Sequence, residues 1–378
     1  MENGPKLYIS SPEKVKQNGD KSRAVGKTAI KSADINNEIQ LLSKKYKSDP
    51  IELHVLNIER LGLKTNFPED NVKLRIGFKS KEDDISKPII NTPDSPYTLG
   101  DSEISLDDKK IIDICSAEND SPDPYYFRGK DTLVINSTFL SPCNQGCQFC
   151  EQTNLPKEKQ RYSINIDKQE IFKLVLKENN LENLSLLKQI SVVTSCAGTE
   201  ERALLLANGY LSEARKIGFN GKLLFATNEI RSEEGIKELA ELGNVILAFT
   251  IECFENRSSF MPGTKGAISI DEIKSILSKA MDYGIDTTFF YILGLDELEE
   301  MKKGFNNIKD SISVIPSASV FYPLAGSDIK QRDLKYYLDA RSIFEKAFHG
   351  KHILDSKQVY RSLWPLSNDK DHIMLWKK

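Results

Sequence analysis

Short apolar runs recur through the second half of the chain. Residues 132–140, 190–194, 223–226, 245–251, 287–293 and 319–322 each read as a buried strand, being four to nine residues rich in Val, Ile, Leu and Phe. Helical periodicity fills the gaps between them. Asp167 and Glu170 form a capping box ahead of Ile171, Leu174 and Val175, and Ser269 with Glu272 repeats it before Ile273, Ile276 and Leu277. Ser232 is placed to cap a helix ending at Gly243, and Gly284 to end the helix before the fifth strand. Strands alternating with helices predict parallel strands and crossover helices, hence an α/β fold. About six such units predict a partial (β/α)6 TIM-like barrel, with its chemistry on loops at the carboxyl ends of the strands.

The first third has a different texture. Residues 1–33 are polar and predict a disordered tail. A short helix is predicted at about 34–47. The run IELHVLNIERL at 51–61 alternates apolar with polar residues, as does VKLRIGF at 72–78, and the turn-rich NFPEDN between them predicts a hairpin. Residues 86–128, rich in Pro, Asp and Ser, predict a mostly irregular connector with one short helix. The expected organisation is a tail, an N-terminal α+β extension at 34–128, a barrel at 129–350 and a C-terminal extension at 351–378.

Composition narrows the partners. Lys and Arg number 52 against 55 Asp and Glu in 378 residues, a balance without the electrostatic footprint of a nucleic-acid or membrane-surface binder. No run approaches the roughly 20 apolar residues of a membrane span, and the first residues lack a signal-peptide core. The expectation is a cytoplasmic protein with reduced thiols, no nucleic acid and no membrane partner. Its six cysteines then read as ligands or inert core residues.

Three of those cysteines fall within eight residues, directly after the first barrel strand: Ser141-Pro142-Cys143-Asn144-Gln145-Gly146-Cys147-Gln148-Phe149-Cys150. Asn, Gln and Gly surround them, so this is no apolar core face, and metal binding is the physical reading. Structural zinc wants four protein ligands, and a fourth would have to come from Cys115, Cys196, Cys253 or a distant histidine such as His349 or His352. Three thiolates on one loop instead suit an iron–sulfur cluster with one metal position open to an exogenous ligand.

The pattern Cys143-x3-Cys147-x-Phe149-Cys150 resembles the CxxxCxΦC signature of the radical S-adenosylmethionine superfamily. The resemblance implies that Cys143, Cys147 and Cys150 hold a single [4Fe–4S] cluster. S-adenosylmethionine would chelate its fourth iron and be cleaved there to a 5′-deoxyadenosyl radical. Phe149 would belong to the cofactor site. Further matches follow along the chain. Thr194-Ser195-Cys196-Ala197-Gly198-Thr199-Glu200 falls where the family places its GGE motif, which assigns Thr194, Ser195, Gly198 and Glu200 to S-adenosylmethionine. An ordinary strand-to-helix turn capped by Thr199 accounts for the same residues. Glu252, ending the fourth strand, stands where the family hydrogen-bonds the ribose hydroxyls. Ile292 and Gly294 in Tyr291-Ile292-Leu293-Gly294-Leu295-Asp296-Glu297 resemble the GxIxGxxE element that packs on adenine. Residues 320–327 resemble a strand-to-loop segment of the biotin-synthase-like branch.

No cysteine follows Cys253, so one cluster is expected, and no DxHxxG element points to cobalamin. The leading expectation is a radical enzyme acting on a small biosynthetic molecule and served by a reductant protein such as flavodoxin or ferredoxin. A peptide-modifying enzyme whose N-terminal hairpin binds a leader by strand addition is the second reading. A zinc-stabilised binding protein is the third. Tyr97, Tyr125, Tyr126 and Phe127, ahead of the first strand, are read as packing or pocket-lining aromatics.

Overall fold

Asp49 and Pro50 start a helix where the alternation of 51–61 predicts a strand. In the computed structural model, which describes residues 32–67, 73–79, 85–119, 125–128, 131–137, 145–150, 167–194, 197–323 and 329–351, the chain divides after Asn119 into two units. Most of the 1–33 tail and nearly all of the 351–378 extension lie outside the described residues.

The first unit opens with α1 (Ser32–Tyr46), where the 34–47 helix is expected, followed by α2 (Pro50–Leu61). An Asp49 carboxylate oxygen accepts the Ile51 amide at 2.8 Å, and Pro50 sits at the helix start, where its missing N–H costs nothing. Residues 52–60 of α2 are all buried, His54, Asn57, Glu59 and Arg60 among them. An enclosed helix has no wet face. Its polar positions therefore do not follow the helical period, and the period of two misled the reading.

The predicted hairpin is replaced by a five-stranded sheet. Its strands are β1 (Lys73–Phe78), β2 (Ile85–Ile90), β3 (Tyr97–Leu99), β4 (Glu103–Leu106) and β5 (Lys109–Asn119), in the order β2-β1-β5-β4-β3. Segment 86–128, expected to be irregular with one helix, holds strands and tight turns in its described residues. Asp107 and Asp108 both take positive φ, 49° and 58°, and form the two-residue turn that joins β4 to β5. The polarity read as irregular is turn chemistry. Both sheet edges are occupied by one short segment: Leu63 N donates to Ile90 O and Lys64 N to Tyr97 O, while Leu99 N donates to Lys64 O.

Inside this unit the polar groups of α2 have fixed partners. Tyr97, fully buried, is 3.0 Å from His54 Nδ1 through its hydroxyl and accepts from Asn57 Nδ2 at 3.1 Å. Arg60 Nε donates to Asn57 Oδ1 at 2.9 Å. Lys87 of β2 pairs with Glu59 at 2.8 Å, and both side chains are almost wholly buried. Tyr97 thus belongs to this core.

The second unit matches the expected strand–helix alternation. Its strands are β6 (Tyr125–Arg128), β7 (Thr132–Ser137), β8 (Gln189–Thr194), β9 (Lys222–Ala226), β10 (Val245–Glu252), β11 (Asp286–Leu293) and β12 (Ser317–Val320). They lie in sequence order across one sheet. The six strands β7–β12 run parallel, and β6 is added antiparallel to β7, so the barrel sheet begins upstream of residue 129. This is a partial α/β barrel.

The crossovers are α3 (Lys168–Glu178), α4 (Glu200–Lys216), α5 (Glu233–Glu241), the single turns α6 (Arg257–Phe260) and α7 (Thr264–Ala267), α8 (Ile270–Asp282) and α9 (Leu298–Ile308). A last helix, α10 (Leu334–Phe348), follows β12. Asp167, Thr199, Ser232 and Ser269 cap their helices through side-chain oxygens, as their positions predict. Phe289 of β11, Phe305 of α9 and Phe344 and Phe348 of α10 pack edge to face, and each buried ring contributes roughly 2–3 kcal/mol. That wedge anchors the last strands of the sheet. No helix among the described residues is long and apolar enough to cross a membrane.

Candidate active site

Parallel strands deliver their loops to one end, and among the described candidates Cys147, Phe149, Cys150, Glu252 and Ile292 lie there. The described part of the cysteine loop, 145–150, docks on the loop that follows β10. Gln148 N donates to Phe260 O at 2.9 Å and Gln148 Nε2 to Ser259 O at 3.1 Å. Gln145 Oε1 accepts the Lys265 amide at 3.0 Å and the Thr264 hydroxyl at 3.3 Å. Residue 263 has to be glycine for this contact, because a Cβ there would overlap the Gln145 carboxamide.

The thiols lie on an apolar bed. Cys147 is buried in a cluster with Cys253, Met261, Leu295 and Phe321, against which Phe149, Cys150 and Ile292 also pack. The structure therefore brings Cys147, Phe149, Cys150 and Ile292 together from the loop after β7 and from β11. Cys143 lies outside the described residues, as do Ser195, Cys196 and the side chain of Thr194. Among the described residues no three His, Cys, Asp or Glu side chains are grouped closely enough to hold a metal. Cys115, a possible zinc ligand by sequence, lies in the first unit, in the bulge of β5 opposite Gly77.

Glu252 ends β10 in the left-handed region, φ 66°, where the register with β11 shifts. A left-handed conformation in a non-glycine residue is strained by about 1 kcal/mol or more, and such strain gathers at functional sites. Its carboxylate meets Lys265 Nζ at 2.6 Å, and both side chains are mostly buried. The Lys265 ammonium also lies 5.9 Å from the centroid of the Phe149 ring, between the two cysteines in sequence. Burial works against that charge. Glu252 and the Cys147 and Cys150 sulfurs outweigh it and hold the ammonium above the ordinary lysine range. Cys147 and Cys150 present two sulfur donors on one docked loop, over an apolar bed, and a donor set of that kind fits an iron–sulfur cluster.

The glycine-acid turn behaves differently. Thr199 caps α4 by accepting from Arg202 N, and Gly198 takes φ 83°. Glu200 points to the loop after β9. Its carboxylate accepts from the Ser232 hydroxyl, Ser232 N and Arg231 N, which together outweigh burial and keep it below the usual carboxylate range. Glu200 is thereby committed to the start of α5. Gly294, φ 111°, is crowded by the chain itself: a Cβ there would meet Phe321 and the Tyr337 hydroxyl at 3.1 Å.

Three residues important to this end of the barrel are not singled out by the sequence patterns. Asn228, after β9, grips Thr250 of β10, accepting its amide and hydroxyl at 2.8 Å each and donating to its carbonyl at 3.2 Å. Glu229 accepts from Ala197 N at 3.2 Å and from the Thr227 hydroxyl, tying the β8 and β9 loops together. Asp296, buried after β11, accepts the Phe254 and Glu255 amides at 2.7 and 3.0 Å and the Tyr291 hydroxyl at 2.7 Å. The neighbouring Glu297, which fits the GxIxGxxE pattern, instead pairs with Arg332 at 2.6 Å. Thr227-Asn228-Glu229 directly after a buried strand was a readable signal for the first two. Nothing in the sequence separates Asp296 from Glu297.

Residues 139–305 match the model of the radical SAM superfamily. Among solved structures, Streptococcus suis SuiB bound to S-adenosylmethionine is 14% identical, covering 60% of this chain and 50% of its own, with a TM-score of 0.41. HydG, a maturase of the [FeFe]-hydrogenase, is 15% identical, covering 59% of this chain and 51% of its own, with a TM-score of 0.42. Methylornithine synthase (PylB) is 13% identical, covering 60% of this chain and 68% of its own, with a TM-score of 0.40. The chain spans about half the length of SuiB and HydG. No curated protein matches the sequence. The stretch that is similar to the radical SAM superfamily, residues 139–305, holds the cysteine loop and the parallel strands β8 to β11 of the partial barrel.

Proposed function

We propose that Cys143, Cys147 and Cys150 hold a [4Fe–4S] cluster at which S-adenosylmethionine is reductively cleaved, the resulting 5′-deoxyadenosyl radical abstracting hydrogen from a small biosynthetic substrate. The observation that carries this reading is the docking of the cysteine loop onto the β10 loop, with a buried lysine beside Cys147 and Cys150. When bound, the cluster and S-adenosylmethionine supply the one-electron chemistry. The residues of the chain bind, orient and exclude water. Met261, Leu295 and Phe321 make the floor under the thiols apolar and dry. Gln145 and Gln148 fix the loop backbone, and Asn228 holds the end of β10 in register with β9. Glu252, with two acceptor oxygens at the strand end, is suited to ribose hydroxyls, and Ile292 to the face of adenine.

A small substrate is favoured over a leader peptide by the edges of the N-terminal sheet. Lys64 already occupies the outer side of β3. On β2, Ile90 O faces outward to Leu63, so Pro88, two residues earlier, faces outward too and offers no donor to an added strand. The near-neutral charge of the chain fits a small partner as well. The reductant is expected to be a flavodoxin or ferredoxin.

Reconstitution under anaerobic conditions tests the assignment. Wild type is expected to take up about four irons and four sulfides per chain, the content of one [4Fe–4S] cluster. The Cys147→Ala protein should retain its fold and lose the cluster. Zinc without acid-labile sulfide in protein purified without oxygen would decide for a zinc-stabilised binding protein.

A further inference from the structure

Lys265 is tied to the cysteine loop twice over. Its amide donates to Gln145, and its ammonium lies over the ring of Phe149, which stands between Cys147 and Cys150 in sequence. Its counter-ion is Glu252, at 2.6 Å, on a strand end held in the left-handed region. The other buried cation nearby, Arg257, is spent on carbonyls: it donates to the backbone oxygens of Ile251, Cys253, Lys265 and Ile268. The buried acid Asp296 is taken by two amides and a tyrosine hydroxyl. Lys265 and Glu252 are therefore the charges of this group best placed to answer a change beside the thiols.

We propose that Lys265 is the counter-charge of the cluster held by Cys147 and Cys150, and that Glu252 sets how much of that charge the cluster receives. The inference rests on the cluster assignment above. A positive charge in a low-dielectric site stabilises the more negative, reduced form of a cluster and raises its reduction potential. Glu252 at 2.6 Å cancels most of that effect while the pair is closed. Any ligand that draws the Glu252 carboxylate into its own hydrogen bonds leaves Lys265 directed at the thiolates. The cluster then becomes easier to reduce when the neighbouring site is filled. Lys265 is in this sense a positioning residue, acting on the electron-accepting group through charge.

The test is an EPR-monitored dithionite titration of reconstituted proteins without S-adenosylmethionine. Lys265→Met should move the potential to a more negative value, and Glu252→Gln to a more positive one. Lys265→Arg and the Lys265→Met/Glu252→Gln double variant should both stay near wild type. A Lys265→Met cluster that titrates as wild type overturns the proposal, including the case where that variant only weakens S-adenosylmethionine binding. Where Lys265→Met assembles no cluster, Glu252→Gln decides alone, and a potential no more positive than wild type overturns the idea. A wild-type protein that shows no reduced [4Fe–4S] signal overturns the cluster assignment itself, a result distinct from unshifted potentials in variants that carry clusters.

Discussion

Two buried lysine–glutamate pairs divide this molecule by purpose. In the first unit Lys87 meets Glu59 at 2.8 Å with both side chains sealed, 1% and 6% exposed. In the barrel Lys265 meets Glu252 at 2.6 Å, with 17% and 13% exposure, beside two thiols and on a strained strand end. The first pair joins a helix to a strand inside a core. Its neighbours, His54, Asn57, Tyr97 and Arg60, bond to one another. The second joins a strand end to a loop at the carboxyl end of a parallel sheet, where both side chains keep some exposure. The same ion pair is enclosed in a core in one unit and partly exposed beside sulfur atoms in the other, and a role in chemistry is proposed for the second alone.

Substitutions should tell the two pairs apart. Lys87→Met leaves Glu59 buried and uncompensated, and is expected to cost about 3–5 kcal/mol of stability in urea unfolding. Lys87→Met combined with Glu59→Leu should recover most of the loss, since an apolar pair replaces a charge already short of donors: Glu59 Oε2 has none. A Lys265→Met apo-protein should lose less, about 1–2 kcal/mol, because its partner keeps some contact with water. If the two lysine variants cost the same, the distinction drawn between the pairs fails.

Acid should act on the first unit through His54. Burial lowers its pKa from 6.5 to about 4. The unfolded chain binds the proton first, so the stability contributed by neutral His54 is full above pH 6.5 and is lost as pH falls toward 4. The loss should reach about 2–3 kcal/mol, and His54→Gln should flatten that part of the pH profile. A profile unchanged by the substitution would show that His54 is not sealed from water.

Smaller effects fall on the barrel side. Asp296→Ala strands the Phe254 and Glu255 amides and should cost about 1–3 kcal/mol, with a looser β10 loop seen as faster amide exchange there. Thr199→Ala removes one helix cap and should cost about 1 kcal/mol in thermal unfolding. That substitution should leave Glu200 at the start of α5, because its partners there are Ser232 and Arg231.

The barrel was legible because its signals are local. Each parallel strand is a short apolar run, and Asp167, Thr199, Ser232 and Ser269 mark helix starts by side-chain chemistry that needs no knowledge of the fold. The cysteine loop stands out for the same reason, since three cysteines fall within eight residues and the expectation of a bound metal needs no knowledge of the fold. The first unit was misread where tertiary context overrides pattern. Residues 51–61 alternate like a strand but are enclosed as α2, and only Asp49-Pro50 announced the helix. The strands between 86 and 119 hid among turn residues such as Asp107-Asp108. At the site, Gln145 and Lys265 meet across 120 positions of sequence, and no local rule links them.

Release of 5′-deoxyadenosine, when anaerobically reconstituted protein is given S-adenosylmethionine and dithionite, tests the cluster assignment at its root. Wild type should yield 5′-deoxyadenosine and methionine in equal amounts, and Cys147→Ala and Cys150→Ala should yield neither. Equal release by wild type and the cysteine variants, or none from a wild type carrying its full iron and sulfide, would overturn it.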